Sequence, residues 1–341
     1  MVKVIGRAPA KAILFGEHFV VWGAGAIACA IEPLNEIEVE GEEGGKNGFA
    51  YETALGSIFV DGAGKIEGEN ALLPAVEVYK QACIAWPELK ARAIRAKVRK
   101  AWALKGVGNS ASLAAALAAA LAKLIGEMPG ADRIFELSQA ADKVAHGGSP
   151  SGIDASTVSR GGVNVMRKMF ASPPSYKFER AEFSMPSGWV FVLADTYMRE
   201  GVRANTAEQI GKFAKASGMG KKPDEAGEAE RKEVTGEYDG LFSDAISALG
   251  GGDMEKVGRL MSQNHKMLLA RNVSCERIEE AVAAALSAGA AGAKLTGAGG
   301  DGSAVLALCR KKDGEKVRGA LENAGFPAYG FSICKKGADA V

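Results

Sequence analysis

Lys105-Gly106-Val107-Gly108-Asn109-Ser110-Ala111-Ser112, followed by an alanine- and leucine-rich run to Leu124, is the stretch that decides the fold. Alanine is the strongest helix former, so the run predicts a helix starting at Asn109 or Ser110. A glycine turn feeding a helix N-terminus can take an anion, because free backbone N–H groups and the positive helix end converge there. The Ser110 hydroxyl is placed to reach a magnesium ion. The same segment also reads as a tight turn capped by Asn109, and it matches neither GxxxxGK[ST] nor GxGxxG.

Working outward, Ala12–Val21 reads as a strand running into a polar turn at Gly16-Glu17-His18. Ile27–Ile31 and Ile37–Val39 read as short strands, with a Gly/Glu loop over Glu40–Asn47, and Ala93–Leu104 as another strand. Helical spacing is found in Leu72–Ala85, Ile134–Ala145, Met254–Leu269 and Ile278–Ala288. Gly161–Val165 reads as a turn and strand, Trp189–Ala194 as a strand, and Lys294–Leu308 as strand, glycine loop and strand. Pro173–Pro186, with three prolines, is the expected linker between a lobe over 1–180 and a second over 181–341. Lys212–Asp239 is charged with few apolar anchors and reads as a solvated, mobile helix and loop.

The 341 residues are enough for one large or two medium α/β domains. A net charge of +1 supplies no global field for nucleic acid or an anionic membrane, so any anion site is local. No run of about 18 apolar residues suggests a membrane span. Five scattered cysteines without a CxxC pair fit reduced thiols and a cytoplasmic location. The three histidines lack metal-ligand spacing.

Phosphoryl transfer needs an aligned hydroxyl, a cation on the phosphates and sometimes a carboxylate to take the proton. Asp154, after Gly147–Gly152, and Lys11, after Ala8-Pro9, are the candidates. Taken singly, Asp154 also reads as a helix cap and Lys11 as a surface charge. Glu17 and His18 interrupt an apolar stretch, as a ligand-binding pair or as hydrogen-bonded core groups. The cluster Thr296–Ser303 holds more glycines than a hairpin needs, which points to close packing against a ligand or another backbone.

Three segments together resemble the motifs of the GHMP kinase family, in the family's order. Ala8–Gly23 is similar to "APGKxxLFGEHxVVxG", with Ala10 for glycine; His146–Asp154, continued by Ser159–Gly162, to "HGxPSGxD…STxGG" with one extra residue; and Lys294–Ser303 to "KLTGAGGGGC". The second motif, usually "PxGxGLGSSAA", is here Trp102–Ser112, lacking the leading proline and first glycine and adding Lys105.

The resemblance implies an α/β fold of two lobes with the active site in the cleft between them. It implies ATP and magnesium as cofactors, with a small-molecule substrate as partner and room for a homodimer. Catalytic roles fall to Asp154 and Lys11. Substrate binding falls to Glu17, His18, Ser151, Thr206, Gly297 and Ala298. ATP binding falls to Lys105, Gly106, Val107, Gly108, Asn109, Ser110, Ala111 and Ser112. Metal binding falls to Ser110 and, in place of the family's glutamate, Asp142. The expected reaction is transfer of the ATP γ-phosphoryl group to the C5 hydroxyl of mevalonate. The alternatives are a same-fold kinase for mevalonate 3-phosphate, phosphomevalonate or another small alcohol, with Arg199, Arg203 and Lys105 as added cations, and a non-catalytic ligand-sensing relative. A nicotinamide oxidoreductase lacks its fingerprint.

Overall fold

The computed structural model describes residues 2–43, 47–102, 104, 106–146 (of His146 the backbone alone), 150–171, 175–197 and 206–341. Two sheets carry the chain. The larger has nine strands: β1 (Val2–Phe15), β2 (Gly25–Glu43), β3 (Gly48–Thr53), β4 (Gly56–Asp61), β5 (Ile66–Gly68), β6 (Arg92–Lys100), β7 (Val163–Met169), β8 (Ser175–Ala181) and β13 (Asp339–Ala340). The smaller is antiparallel: β10 (Gly292–Thr296), β11 (Ala304–Arg310), β9 (Trp189–Asp195) and β12 (Ala328–Phe331), in that order.

The helices are α1 (Leu73–Ala85), α2 (Asn109–Leu124), α3 (Ala131–His146), α4 (Ile153–Arg160), α5 (Thr206–Ala216), α6 (Glu228–Gly250), α7 (Met254–Leu269), α8 (Glu276–Ser287) and α9 (Gly314–Asn323). Two apolar cores result. One lies between the large sheet and α1, α2 and α3, the other where β1 and β2 meet the small sheet and α6 to α9.

The expected short strands at Ile27–Ile31 and Ile37–Val39 are one strand, β2. It pairs with β1 on one side and with β6 and β7 on the other. Glu32 and Pro33 fall between the registered pairs Ala10↔Ile31 and Pro9↔Leu34. Proline has no N–H for the ladder, so both prolines sit where pairing is interrupted, and the strand continues beyond them. Two other expectations are revised. Within Pro173–Pro186, Ser175–Ala181 is not linker but β8, paired to β7 along its length. Lys212–Asp239 is mostly exposed, as expected, but it has more anchors than its sequence suggests: Phe213 and Ala214 are buried on α5, and Val234, Thr235 and Tyr238 on α6. Tyr238 stacks on Phe19 at 4.2 Å and donates to Gly25 O at 3.1 Å. A few large anchors spaced along α6 do what an even apolar stripe does elsewhere.

The alanines of α2 have a packing reason as well as a propensity. A Cβ on Gly6 of β1 would lie 2.0 Å from Ala116 O, so helix and strand backbones nearly touch. Larger side chains on that face would separate them and pull the Gly106–Ser110 loop from β1. Replacing Gly6 by valine places atoms where helix backbone already is, so Gly6→Val should lose about 3 kcal/mol of stability in urea unfolding, the upper end of overpacking costs.

Candidate active site at the junction of the two sheets

Lys11 lies in the middle of β1 and its side chain is 2% exposed; its Nζ is 3.1 Å from Asp154 Oδ1. Asp154 is the second residue of α4, where the helix dipole favours a carboxylate, and it keeps 23% of its surface. Its cap is Gly152, at φ 82, and Ser151 Oγ accepts from Ile153 N at 3.3 Å. Asp154 is therefore not the helix cap but a presented carboxylate with an ammonium beside it.

The loop before α2 closes over this pair. Gly108 caps α2 at φ 71, and a Cβ there would stand 2.8 Å from Lys11 Cγ and 3.4 Å from Asp154 Oδ2. No side chain caps the first turn of α2. Asn109 instead turns back, donating to Trp102 O at 2.9 Å and Leu104 O at 2.8 Å, so it shapes the loop and leaves the helix amides open to an anion. Ser110 is exposed. Val107, Ala111 and Ser112 are buried, and Val107 O accepts from Lys11 N at 2.9 Å. The Ser112 hydroxyl donates to Ala8 O and accepts from Asn35 Nδ2, so these three positions offer backbone only. Asn35 also accepts from Trp102 N at 2.7 Å. No pattern in the mixed stretch Glu32–Glu38 pointed to Asn35.

The third glycine cluster packs on this loop. A Cβ on Gly297 would meet Gly106 O at 2.8 Å, and one on Gly106 would meet Ala304 N at 3.0 Å. Thr296 Oγ1 accepts from Ile13 N at 2.9 Å and donates to Ile13 O at 3.2 Å, joining β10 to β1. Glu17 and Lys294, both wholly buried, form an ion pair across the same junction, and Lys294 also donates to Leu295 O at 2.7 Å. Burial raises the Glu17 pKa and lowers that of Lys294, each effect opposed by the partner's charge. Lys294 was quoted only as part of a motif; a lone charge in the apolar run Ala293–Leu295 was the signal of a buried partner.

His18, at φ 61, contacts Ala298 O through Nε2 at 2.8 Å and stacks on Phe213 of α5 with centroids 5.5 Å apart. A carbonyl only accepts, so Nε2 carries the proton and, in the neutral ring, Nδ1 is an acceptor. Burial pushes the His18 pKa down to about 4. Thr206 opens α5, half-buried, one turn before Gln209, which packs against Gly300. Asp142 is on the buried face of α3, a helix packed on α2 and α4. Lys105, Gly147–Ser149, Arg199 and Arg203 lie outside the described residues. Among the described residues no three His, Cys, Asp or Glu side chains gather as a metal cage, and no helix is long and apolar enough to cross a membrane.

Two stability predictions follow from these burials. Lys294→Met leaves Glu17 buried without its cation and should cost about 3–5 kcal/mol, most of it recovered in the double variant with Glu17→Gln, as read by denaturant midpoints. The depressed His18 pKa means that the unfolded chain binds the proton first. Stability should then fall as pH drops from about 6.5 toward 4, by about 2 kcal/mol at pH 5, and His18→Gln should flatten that slope in urea titrations.

The sequence matches the GHMP kinases N terminal domain over residues 76–162 and the GHMP kinases C terminal region over 245–328, the first spanning Gly106–Ser112 and Asp154 and the second the third glycine cluster. It is 32% identical to a mevalonate kinase of Pyrococcus furiosus, covering 98% of this chain and 97% of that one. It is 30% identical to that of Thermococcus gammatolerans, with coverage of 98% and 97%. Among solved structures, L. major mevalonate kinase in complex with R-mevalonate superposes with a TM-score of 0.73 at 23% identity, over 98% of this chain and 96% of that chain. A Lactococcus lactis galactokinase complexed with galactose superposes at 0.74 and 18% identity, over 99% and 95%, so the fold alone does not choose the acceptor. Relatives at 30% and 32% identity over nearly the whole chain and both family regions place the chain in the GHMP kinase family.

Proposed function

We propose that this chain transfers the γ-phosphoryl group of ATP to the C5 hydroxyl of mevalonate. The observation that carries the reading is the Lys11–Asp154 contact of 3.1 Å beneath an uncapped helix N-terminus. That arrangement puts a proton acceptor, a cation and an anion cradle within one hydroxyl's reach. The preference for mevalonate over other alcohols comes from the two archaeal relatives and from the Glu17-His18 turn at the same junction.

In this reading the amides of Gly108–Ala111 bind the triphosphate. Lys11 stabilises charge on the transferring group, and Asp154 orients the acceptor hydroxyl and takes its proton. His18 offers Nδ1 to the acceptor, while Glu17, committed to Lys294, shapes the turn that presents it. Thr206, Ser151 and the Gly297-Ala298 backbone complete the acceptor side. Ser110, exposed on the first turn of α2, and Asp142, buried on α3, are the residues that would hold magnesium carried by a nucleotide, and the ion would there screen phosphate charge.

A coupled assay of ADP release with mevalonate, mevalonate phosphates, homoserine and galactose tests the acceptor, with turnover expected on mevalonate. Asp154→Asn should lower kcat by about 100-fold or more with a smaller change in KM. Near wild-type turnover in that variant would remove Asp154 from the chemistry.

A further inference from the structure

The short loop that delivers Asp154 is held by a residue outside all three glycine motifs. Tyr176, on β8, donates from its hydroxyl to Pro150 O at 3.2 Å and accepts from Gln139 Nε2 at 3.0 Å. Its ring lies directly against Gly152, where a Cβ would sit 2.8 Å from Cε1. One side chain thus fixes residues 150 and 152 on either side of Ser151, and Asp154 follows within the first turn of α4. The ring has little freedom of its own, being wedged against Phe135 at 5.7 Å and Phe178 at 6.0 Å.

The same hydroxyl reaches α3. Gln139 is one turn before Asp142, and the two share the buried face of that helix. Burial raises the pKa of the phenol, the bond from Gln139 opposes the rise, and the charges of Asp224 and Asp142 add to it. Tyr176 therefore ties Gln139 of α3 to the loop ahead of α4. Packing alone would need the ring but not the oxygen, whereas here the oxygen makes two directional bonds to two elements of the site.

We propose that Tyr176 is a positioning residue for phosphoryl transfer, acting through the Pro150–Gly152 backbone on Asp154 and through Gln139 on the helix that carries Asp142. The proposal rests on the reading of Asp154 as the carboxylate that handles the acceptor hydroxyl. Without the hydroxyl the loop loses one tether and the buried Gln139 amide loses its acceptor, so the carboxylate is held less closely to the reacting geometry, a kind of loss that costs rate more than affinity.

The test compares Tyr176→Phe with Phe178→Leu, which trims the same aromatic cluster and the ring beneath the Arg160 guanidinium but leaves both bonds of the Tyr176 hydroxyl in place. Each is measured for melting temperature, for kcat and KM with mevalonate, and for Mg–ADP affinity by calorimetry. Tyr176→Phe should lower kcat by about 10-fold or more while KM for mevalonate stays within about twofold, and Phe178→Leu should lose melting temperature with kcat within about twofold of wild type. An unchanged kcat in Tyr176→Phe overturns the proposal, whatever its melting temperature. If the wild-type chain turns over no mevalonate, the proposed reaction fails separately. Mg–ADP affinity then decides: a weakening of threefold or so in Tyr176→Phe beyond the control supports the positioning role, and equal affinities reject it.

Discussion

An ammonium and a carboxylate 3.1 Å apart, with a glycine laid over them, set most of what surrounds them. Lys11 is 2% exposed, and a lysine that deep must have its charge answered. Asp154 answers it from α4, and the loop ahead of α2 seals it. Since a Cβ at Gly108 would overlap the Lys11 stem, the seal has to be glycine, and a left-handed one. The requirement spreads outward: the loop ahead of α2 must cover the side of β1 that β2 leaves open at Lys11, α2 must lie almost on β1 for Gly108 to reach it, and α2 must be alanine-rich to lie so close.

The two sheets are joined by polar contacts at the same place. Thr296 bonds both the N–H and the C=O of Ile13, Lys294 pairs with Glu17, and His18 contacts Ala298. All three connect the strand and turn that carry Lys11 to the strand and glycine loop of the small sheet. Apolar contact alone would allow one lobe to slide on the other, because the hydrophobic effect is non-directional. Hydrogen bonds and a buried ion pair have fixed directions, and misplacing them strands a buried polar group at a cost of about 1–3 kcal/mol each. The junction is therefore defined in register as well as in contact, which a site shared between two lobes requires.

Legibility of the sequence follows the same division. Local chemistry was readable: the helix start at Asn109, the strands around Lys294–Leu308 and the glycine loops rest on propensity and turn chemistry within a few residues. Bringing Lys11 and Asp154 together needed the family pattern, because they are 143 positions apart by their numbering and each alone has a bland reading. What failed was context-dependent. Ile27–Ile31 and Ile37–Val39 read as two strands and are one, because the irregularity between them at Glu32 and Pro33 is a property of two paired strands, not of one. Lys212–Asp239 is mostly solvated, as read, but its anchoring was hidden because Tyr238 meets Phe19, a partner more than 200 positions away. Asn109 was legible as a cap and is a loop tie, since the carbonyls it reaches, on Trp102 and Leu104, lie behind the helix rather than within it.

Polar residues in apolar strands deserve separate weight, because their partners are obligatory even when invisible. Lys294 in β10 and Thr296 at its end each break an apolar run, Asn35 is a fully buried amide in the mixed stretch Leu34–Glu38 of β2, and each ties a glycine loop or a turn of the candidate site. The physical reason is general: a buried amide or ammonium is tolerated only where another buried polar group needs it, and buried polar groups gather where backbone leaves regular structure. Glycine loops are such places. A polar interruption in a strand that leads to a glycine cluster is thus a pointer to the scaffold of that cluster, and in this chain such residues are buried whereas Ser110 and Asp154 keep exposed surface.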